Sequence, residues 1–487
     1  MNYMHKSTDE QMEFSQEHGN YLMIPSTLEG FNNTDTAIVE SKSGRTVYCF
    51  NGTLTNDMDR TCNSCGSGMH VNNHFETTLR HLCFGSALTM VRFEKLQLRC
   101  PNCGATVMQD VPFKSKHHRI TEELYTYARD LLALGKYTNR QIGQITGLDE
   151  NTVKTIDKRR LQEKYTINGK ELIKPEKTTP IVGIDEFKLH NGFRLATHII
   201  DMQTGHILWI SYGKKKQVVY DFIEHVGLEW MDHVEAVACD MNSDFQEAFE
   251  ERCPHIQPVF DHFHIVKNFN EKVIANVRKD EQKRLESEGK REAAKSLKRS
   301  KYILTSSRKT LEQKDQDARD SKVVSKGNTL FNKDDFVRKE GYVERYEDIL
   351  KENRLLFTAD LIKEKLSDAY KTDSESEMAK AMTEIMQLCK GTHNRHFRWF
   401  ENLIDKHFEG ISAHATYKTT SGKVEGINNK IKTLRRQGYG YPDDEYFFLK
   451  LFDASRNDYV RNTPSHKILE CAIFFKISVF PARAHIQ

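Results

Sequence analysis

The sequence predicts a multidomain α/β protein. Three observations carry that expectation: 487 residues exceed one ordinary core and suggest about three domains, two Cys-x-x-Cys pairs precede a stretch of helical period, and a series of strand-type apolar runs follows. Hydrophobic residues are 38% and charged residues 29%, with a net charge of only +3. No global excess of charge advertises a polyanion, so a nucleic-acid reading must rest on local basic patches. No run of about 18 apolar residues occurs, and the opening MNYMHKSTDEQMEF has no apolar signal core. A cytosolic chain with no membrane span is expected. The ten cysteines agree, since four fall in two pairs and six are scattered without framework spacing.

Residues 1–57 show little periodicity and many Asn, Thr, Ser and Gly, so an irregular lead-in with at most short strands is expected. A zinc-binding domain is expected over 58–115. CNSC at Cys62 and Cys65 and CPNC at Cys100 and Cys103 are separated by 34 residues. A Cys-x-x-Cys turn offers two thiolates to one tetrahedral zinc, and two such turns complete a four-sulfur site. His70, His74, His81 and Cys83 lie between the pairs as competing donors. A closed four-thiolate site holds a fold together and does no chemistry. Between the pairs, LTMVRFEKLQLRC reads as a hairpin-like strand pair.

Over 118–168 the period turns helical. ITEELYTYARDLLALGK repeats apolar residues at Leu124, Ala128, Leu131 and Leu132, a helix ending near Gly135. TNRQIGQITG begins with a Thr138/Asn139 cap and stops at Gly147, and a further helix starts from Asp149. Two helices joined by a tight Gly-containing turn predict a helix-turn-helix, whose second member would present Asn151, Thr152, Lys154 and Thr155 to a major groove. A plain helical packing module has the same pattern.

After a polar linker, Lys170 to Pro180, come IVGIDEF, FRLATHIID and HILWISY as a meander of strands. VVYDFIEHVGLEWM reads as a helix, VEAVACD as a strand, SDFQEAFEERC as a helix, QPVF as a strand and DHFHIVKNF as a helix. Three antiparallel strands followed by alternating helix and strand is the order of a ribonuclease H-like core, expected here over 178–270. From Asn270 to Asp405 the chain is rich in Lys, Arg, Glu, Leu and Ala and nearly free of proline, which predicts long helices with mostly solvated charged faces. There, Arg395, Phe397, Arg398 and Trp399 interleave as a DNA-facing patch or a packed aromatic helix. In SGKVEGINNKIKTLRRQGYGY, Val424, Ile427, Ile431 and Leu434 make an apolar row, and Glu425, Asn428, Asn429, Lys432 and Arg436 the row beside it. Gly438 and Gly440 close that helix. Residues 468–487 form a docked element or an atypical tail, too short to span a bilayer.

Three acids are the candidate catalytic and metal-binding residues: Asp185 and Asp240, each closing an apolar strand, and Glu425, opening the basic helix. Phosphodiester cleavage meets an anionic centre, and two divalent ions about 4 Å apart relieve both attack and departure. Magnesium takes oxygen ligands and keeps several waters, so clustered carboxylates suit it. Strand order would make Asp185 and Asp240 neighbours. Glu186 points to the opposite strand face. Asp244 competes with Asp240 but falls where a helix-capping carboxylate is ordinary, and Asp261, His262 and His264 line the site or cap and pack.

Through the zinc region, the helix-turn-helix, GIDEF, CDMNSDF, FDHFHIVK and EGINNKIKTLRRQGYGY, the chain resembles transposases of the ISL3 (ISL-three) family of bacterial insertion sequences, within the DDE superfamily. The resemblance runs from Cys62 to about Lys467. It implies Asp185, Asp240 and Glu425 as the catalytic triad, a helical insertion over 271–415 interrupting the core, and a second core segment over 416–467. It further implies magnesium or manganese as the catalytic ion, cleavage of the element's ends and strand transfer to target DNA. Arg140 on the helix-turn-helix, and Lys432, Arg435 and Arg436 beside the cut, would contact DNA. Terminal inverted repeats and target duplex are the implied partners, with a homodimer or larger assembly on the bacterial nucleoid. TTSGK before Glu425 departs from the Ser-Asn pattern of the family. A nuclease without strand transfer, or a non-catalytic DNA-binding regulator derived from a transposase, are the alternatives.

Overall fold

The computed structural model describes residues 28–41, 44–189, 194–241, 243–320, 340–419, 422–438 and 441–456. Most of the lead-in, Gly440 and the 468–487 tail lie outside them. The chain divides into two compact units, 1–173 with 435–487, and 174–434.

In the first unit, β1 (Phe31–Glu40), β2 (Thr46–Leu54), β3 (His70–Phe84), β4 (Ala87–Arg99) and β5 (Thr106–Met108) form one sheet. Its order is β1-β2-β4-β3 with β5 on β4, and β2 runs parallel to β4 while the other pairs are antiparallel. The expectation of an irregular lead-in is thus corrected. Asn- and Thr-rich β1 is a strand because it ladders onto β2, whose Val47, Cys49 and Phe50 are buried, and pairing overrides composition. The segment expected as a hairpin-like pair is the single strand β4. Its partner is the preceding β3, whose largely exposed, polar first half hid the period.

Three capped helices follow: α1 (Glu122–Ala133), α2 (Asn139–Thr146) and α3 (Glu150–Tyr165). Thr121, Thr138 and Asp149 accept from backbone N–H groups of the first turns, and Thr138 with Gln141 makes a reciprocal capping box. Leu124, Ala128, Leu132, Ile142, Val153 and Ile156 share one core. The short β6 (Thr166–Ile167) and β7 (Glu171–Leu172) pair before the chain leaves this unit.

The second unit centres on β8 (Ile181–Lys188), β9 (Leu195–Asp201), β10 (Ile207–Tyr212), β11 (Ala236–Cys239) and β12 (Gln257–Phe260). The order is β10-β9-β8-β11-β12, antiparallel through the first three strands and parallel from β8 outward. Helices α4 (Lys216–Val226), α5 (Leu228–Met231) and α6 (Ser243–Arg252) connect the later strands, and α7 (His262–Asn268) follows the last of them. Because side chains alternate along a strand, Val182 and Ile184 share a core with Phe222 and Phe245, while Gly183 and Asp185 face the other side.

A π-helical turn, Phe269–Ile274, carries α7 into α8 (Ala275–Ser287), followed by α9 (Arg291–Leu297), α10 (Lys301–Thr305), α11 (Arg308–Arg319), α12 (Tyr342–Glu352), α13 (Arg354–Ala369), α14 (Glu375–Gly391), α15 (Arg395–Lys406), α16 (Phe408–Ser412) and α17 (His414–Tyr417). Long helices were expected, yet among the described residues the longest has 17. Ser307, Asn353, Ser374 and Asn394 each cap a new start, and such side chains favour helix ends over interiors. Phe397 is buried, Arg395 pairs with Asp280, and Arg398 and Trp399 are exposed.

Helix α18 (Gly422–Gln437) lies against the Gly183 face of β8. Val424, Ile427 and Ile431 are buried, and Lys423 Nζ donates to the Met202 carbonyl at 2.7 Å. The boundary between the units falls inside this helix, so the expected 416–467 segment is split. Helix α19 (Asp444–Arg456) then packs on α3 through buried charges. Asp157 accepts from Arg160, Tyr446 and Lys450 at 2.7–2.9 Å, and Asp453 from Arg160, Lys164 and Tyr165 at 2.7–3.0 Å.

A Cβ at Gly183 would stand 2.5 Å from Met202 Sδ and 3.1 Å from Val424 Cγ2, so Gly183→Ala should lower stability in urea by about 1–3 kcal/mol. Removing one partner of a buried ionic network costs about 3–5 kcal/mol, which is the loss expected at neutral pH for Asp453→Asn. Burial alone would raise the Asp453 carboxyl, but Tyr165, Arg160 and Lys164 outweigh it and hold it below the carboxylate range. A lowered carboxyl contributes stability above its unfolded value of about 3.9 and loses it as pH falls through the folded value. Thermal melts should therefore show a wide gap between wild type and Asp453→Asn at pH 7 that closes in acid.

Candidate active site and cysteine knuckles

The two cysteine turns are built alike. The Gly66 amide bonds to the Cys62 carbonyl and the Gly104 amide to the Cys100 carbonyl, with both glycines at positive φ, 70° and 74°. A side chain at that φ would strain each turn. Cys62 Sγ lies 3.5 Å from Cys103 Sγ, and Cys65 Sγ 3.5 Å from Cys100 Sγ. All four sulfurs fall within 4.8 Å of one another. Zinc–sulfur bonds of about 2.3 Å place tetrahedral sulfurs about 3.8 Å apart, so the cluster is compatible with structural zinc. Ser67 holds the Cys65 thiol down to about 6; the Ala105 amide favours the Cys103 thiolate, yet the neighbouring sulfurs push that thiol up to about 12. Three of the four competing donors are engaged elsewhere: His81 with Thr121 at 3.0 Å, His74 with Glu94 at 3.0 Å, and Cys83 with the Thr146 carbonyl at 3.4 Å.

The acids stand at the sheet's centre. The β8–β11 ladder ends at Gly183 opposite Ala238, and two further steps of that parallel register bring Asp185 level with Asp240. Asp185 is half-buried. The Glu186 amide donates to its Oδ1 at 2.8 Å and Asn428 Nδ2 to its Oδ2 at 2.6 Å. Burial pushes its carboxyl up, the Asp240 charge adds to the rise, and the two donors and His264 only partly offset it. Asp240 is more open. Burial raises it too, but His264, with Nδ1 3.1 Å from Oδ1, outweighs that and holds it low, while Asp240 in turn raises His264.

Glu425 is exposed on α18, one turn before Asn428 on the same side of the helix. Its carboxylate does not join a cluster: among the described residues, only the four cysteines bring three or more potential ligand atoms within 4.8 Å of one another. Asp244 lies in the first turn of α6. Asp261 caps no backbone N–H with its side chain, and one of its oxygens is buried with no partner among the described residues. Sequence reading passed over His198. It sits on β9 directly opposite Asp185, fully buried, with neither ring nitrogen bonded among the described residues, and burial pushes it down to about 4. Only the strand register reveals that pairing.

The residues expected to face DNA divide by accessibility. Arg140, Asn151 and Thr155 are exposed, whereas Thr152 is turned to the Asp149 cap and Lys154 is ion-paired with Asp443 at 3.1 Å. Lys158, the next turn, meets both Asp443 and Glu445. Lys432 and Arg436 are exposed on α18, and Arg435 is half-buried.

Two carboxylates thus stand at adjacent strand ends, and a basic helix bearing a third acid lies against the same sheet. Residues 182–451, more than half of the chain, match a family described as transposase. The chain belongs to the ISL3 family of DDE transposases. It is 25% identical over 393 residues to the transposase of insertion sequence element IS1001 from Bordetella parapertussis, covering 80% of this chain and 87% of that one. It is 22% identical over 278 residues to the transposase of IS1557 from Mycobacterium tuberculosis, covering 53% and 56%. No described helix is long and apolar enough to cross a membrane.

The cysteine cluster makes a direct prediction. Purified chain should carry one zinc, lost in Cys65→Ser, and chelation should speed amide exchange at 60–105 while sparing β8–β12, read by hydrogen-exchange mass spectrometry.

Proposed function

We propose that this chain is the transposase of an insertion sequence, which binds the element's terminal inverted repeats and uses Asp185, Asp240 and Glu425 for metal-dependent end cleavage and strand transfer. One observation carries the reading: the Asn428–Asp185 hydrogen bond ties the helix bearing Glu425 to the strand bearing the first acid, beside which Asp240 stands. The β10-β9-β8-β11-β12 order supports a ribonuclease H-like core, with 271–415 as its helical insertion.

The donors are all carboxylate oxygens, which fits magnesium or manganese better than a softer ion. When bound, such ions activate an attacking oxygen and neutralise charge developing on the leaving one. Asp185 and Asp240 would hold the ion from the sheet and Glu425 from α18. His264 keeps Asp240 ionised, and exposed Lys432 and Arg436 place positive charge along the DNA backbone. Helices α2 and α3 form a helix-turn-helix in which Arg140, Asn151 and Thr155 meet the terminal repeat, with the zinc region beside it. Two ends are cut together, so the working form is at least a dimer on DNA in the bacterial cytoplasm.

The test mixes purified protein, magnesium and linear DNA carrying the element's ends. Wild type should cleave and join. Asp240→Asn should bring both below detection with end binding within about twofold, since it removes a ligand and no DNA contact. Cleavage without joining would leave a nuclease; catalysis surviving in Asp240→Asn would shift the role to Asp244.

A further inference from the structure

We propose that Asn428 is a positioning residue of the carboxylate site: its amide group aims Asp185, and its carbonyl oxygen accepts a hydrogen bond from a water bound to the metal. The inference rests on the catalytic reading above and assigns a task to a residue that carries no charge. An ionised carboxylate only accepts, so toward the form of Asp185 that a metal needs Asn428 presents its NH2, which lies 2.6 Å from Oδ2. The Glu186 amide already holds Oδ1 at 2.8 Å, and the two bonds together fix the carboxylate plane. Each oxygen keeps a second lone pair for a metal.

The other end of the amide is then determined. Asn428 Oδ1 points away from Asp185, is buried, and accepts no bond from any described protein group. The oxygens of Asn33, Asn51, Asn56 and Asn270 also lack a described donor, but that of Asn428 belongs to the amide already bonded to Asp185, where a donor from outside the chain is expected. Magnesium retains several of its waters, and those waters are strong donors. Helix geometry supports the same place, since Asn428 stands one turn past Glu425 on the side of α18 that meets β8, where Val424 seats against Gly183. Asn428 thereby fixes both the direction of Asp185 and the seat of the helix bearing Glu425.

A purely structural Asn428 would affect folding alone, so the test reads metal binding. Zinc-loaded full-length protein without DNA is titrated with manganese and followed by electron paramagnetic resonance. Loss of a group that orients a ligand typically weakens metal binding about 10–100-fold, which is expected for Asn428→Ala, with Asn428→Ser, whose hydroxyl both donates and accepts, falling between. In the cleavage assay Asn428→Ala should raise the manganese concentration needed for half-maximal rate. Circular dichroism and melting report folding separately, and Asn428→Ser carries the test if the alanine variant fails to fold. Manganese binding lost in Asp185→Asn but kept at wild-type affinity in both Asn428 variants overturns the proposal alone. Manganese binding that Asp185→Asn leaves untouched overturns the catalytic reading on which it stands.

Discussion

The close approach of α18 to β8 is the constraint on which the site depends. A Cβ at Gly183 would stand 2.5 Å from Met202 Sδ, 3.1 Å from Val424 Cγ2 and 3.2 Å from Ile200 Cγ1, so a strand position without one leaves room for the helix. From that contact the rest follows by helical arithmetic: four residues on, Asn428 reaches Asp185, two residues along the strand from Gly183. Three residues before Asn428, Glu425 is carried to the same side of the helix. A glycine in the middle of a strand weakens it, and here the exchange is a helix seated one side chain closer to the acids.

A second constraint governs the first unit. Helix α3 carries two buried acids' worth of interaction with α19: Asp157 within α3 itself, and Asp453 opposite, with Arg160 between them. These groups are nearly inaccessible, and a buried charge left without its partner is costly. The same docking brings Asp443 and Glu445 against Lys154 and Lys158. A lysine held by carboxylates is not free for a phosphate, and any nucleic acid approaching this helix must compete with those acids. The face of α3 left open is that of Asn151 and Thr155.

Much of this was legible in the sequence wherever a local signal was strong. The apolar strands β8 to β12 and the caps at Thr138 and Asp149 stand where period and capping chemistry put them. The cysteine turns were legible because Cys-x-x-Cys encodes its own geometry. What escaped was set by partners distant in the chain. Strand β1 is polar and becomes a strand only beside β2; His198 faces Asp185 only through the β8–β9 register; α19 belongs with α3 through contacts nearly 300 residues apart in sequence. The charged insertion was read as long helices because composition reports helix propensity, while the capping residues that cut it into short ones speak more quietly.

The electrostatics of the two strand-end acids are unequal, and the inequality has a direction. Asp185 is the more buried and is pushed up first by desolvation and then by the charge of Asp240, so in the bare protein it is the acid less inclined to ionise. Asp240 is ionised with the help of His264. A divalent cation placed between them would invert the situation at Asp185, since the charge that burial penalises is then neutralised at its own oxygen. Binding such an ion should therefore release a proton from Asp185 where it is still protonated, and affinity should rise with pH through its raised value. Asn428 and the Glu186 amide already stabilise the ionised form without moving the carboxylate, so the proton can leave with little rearrangement of the strand.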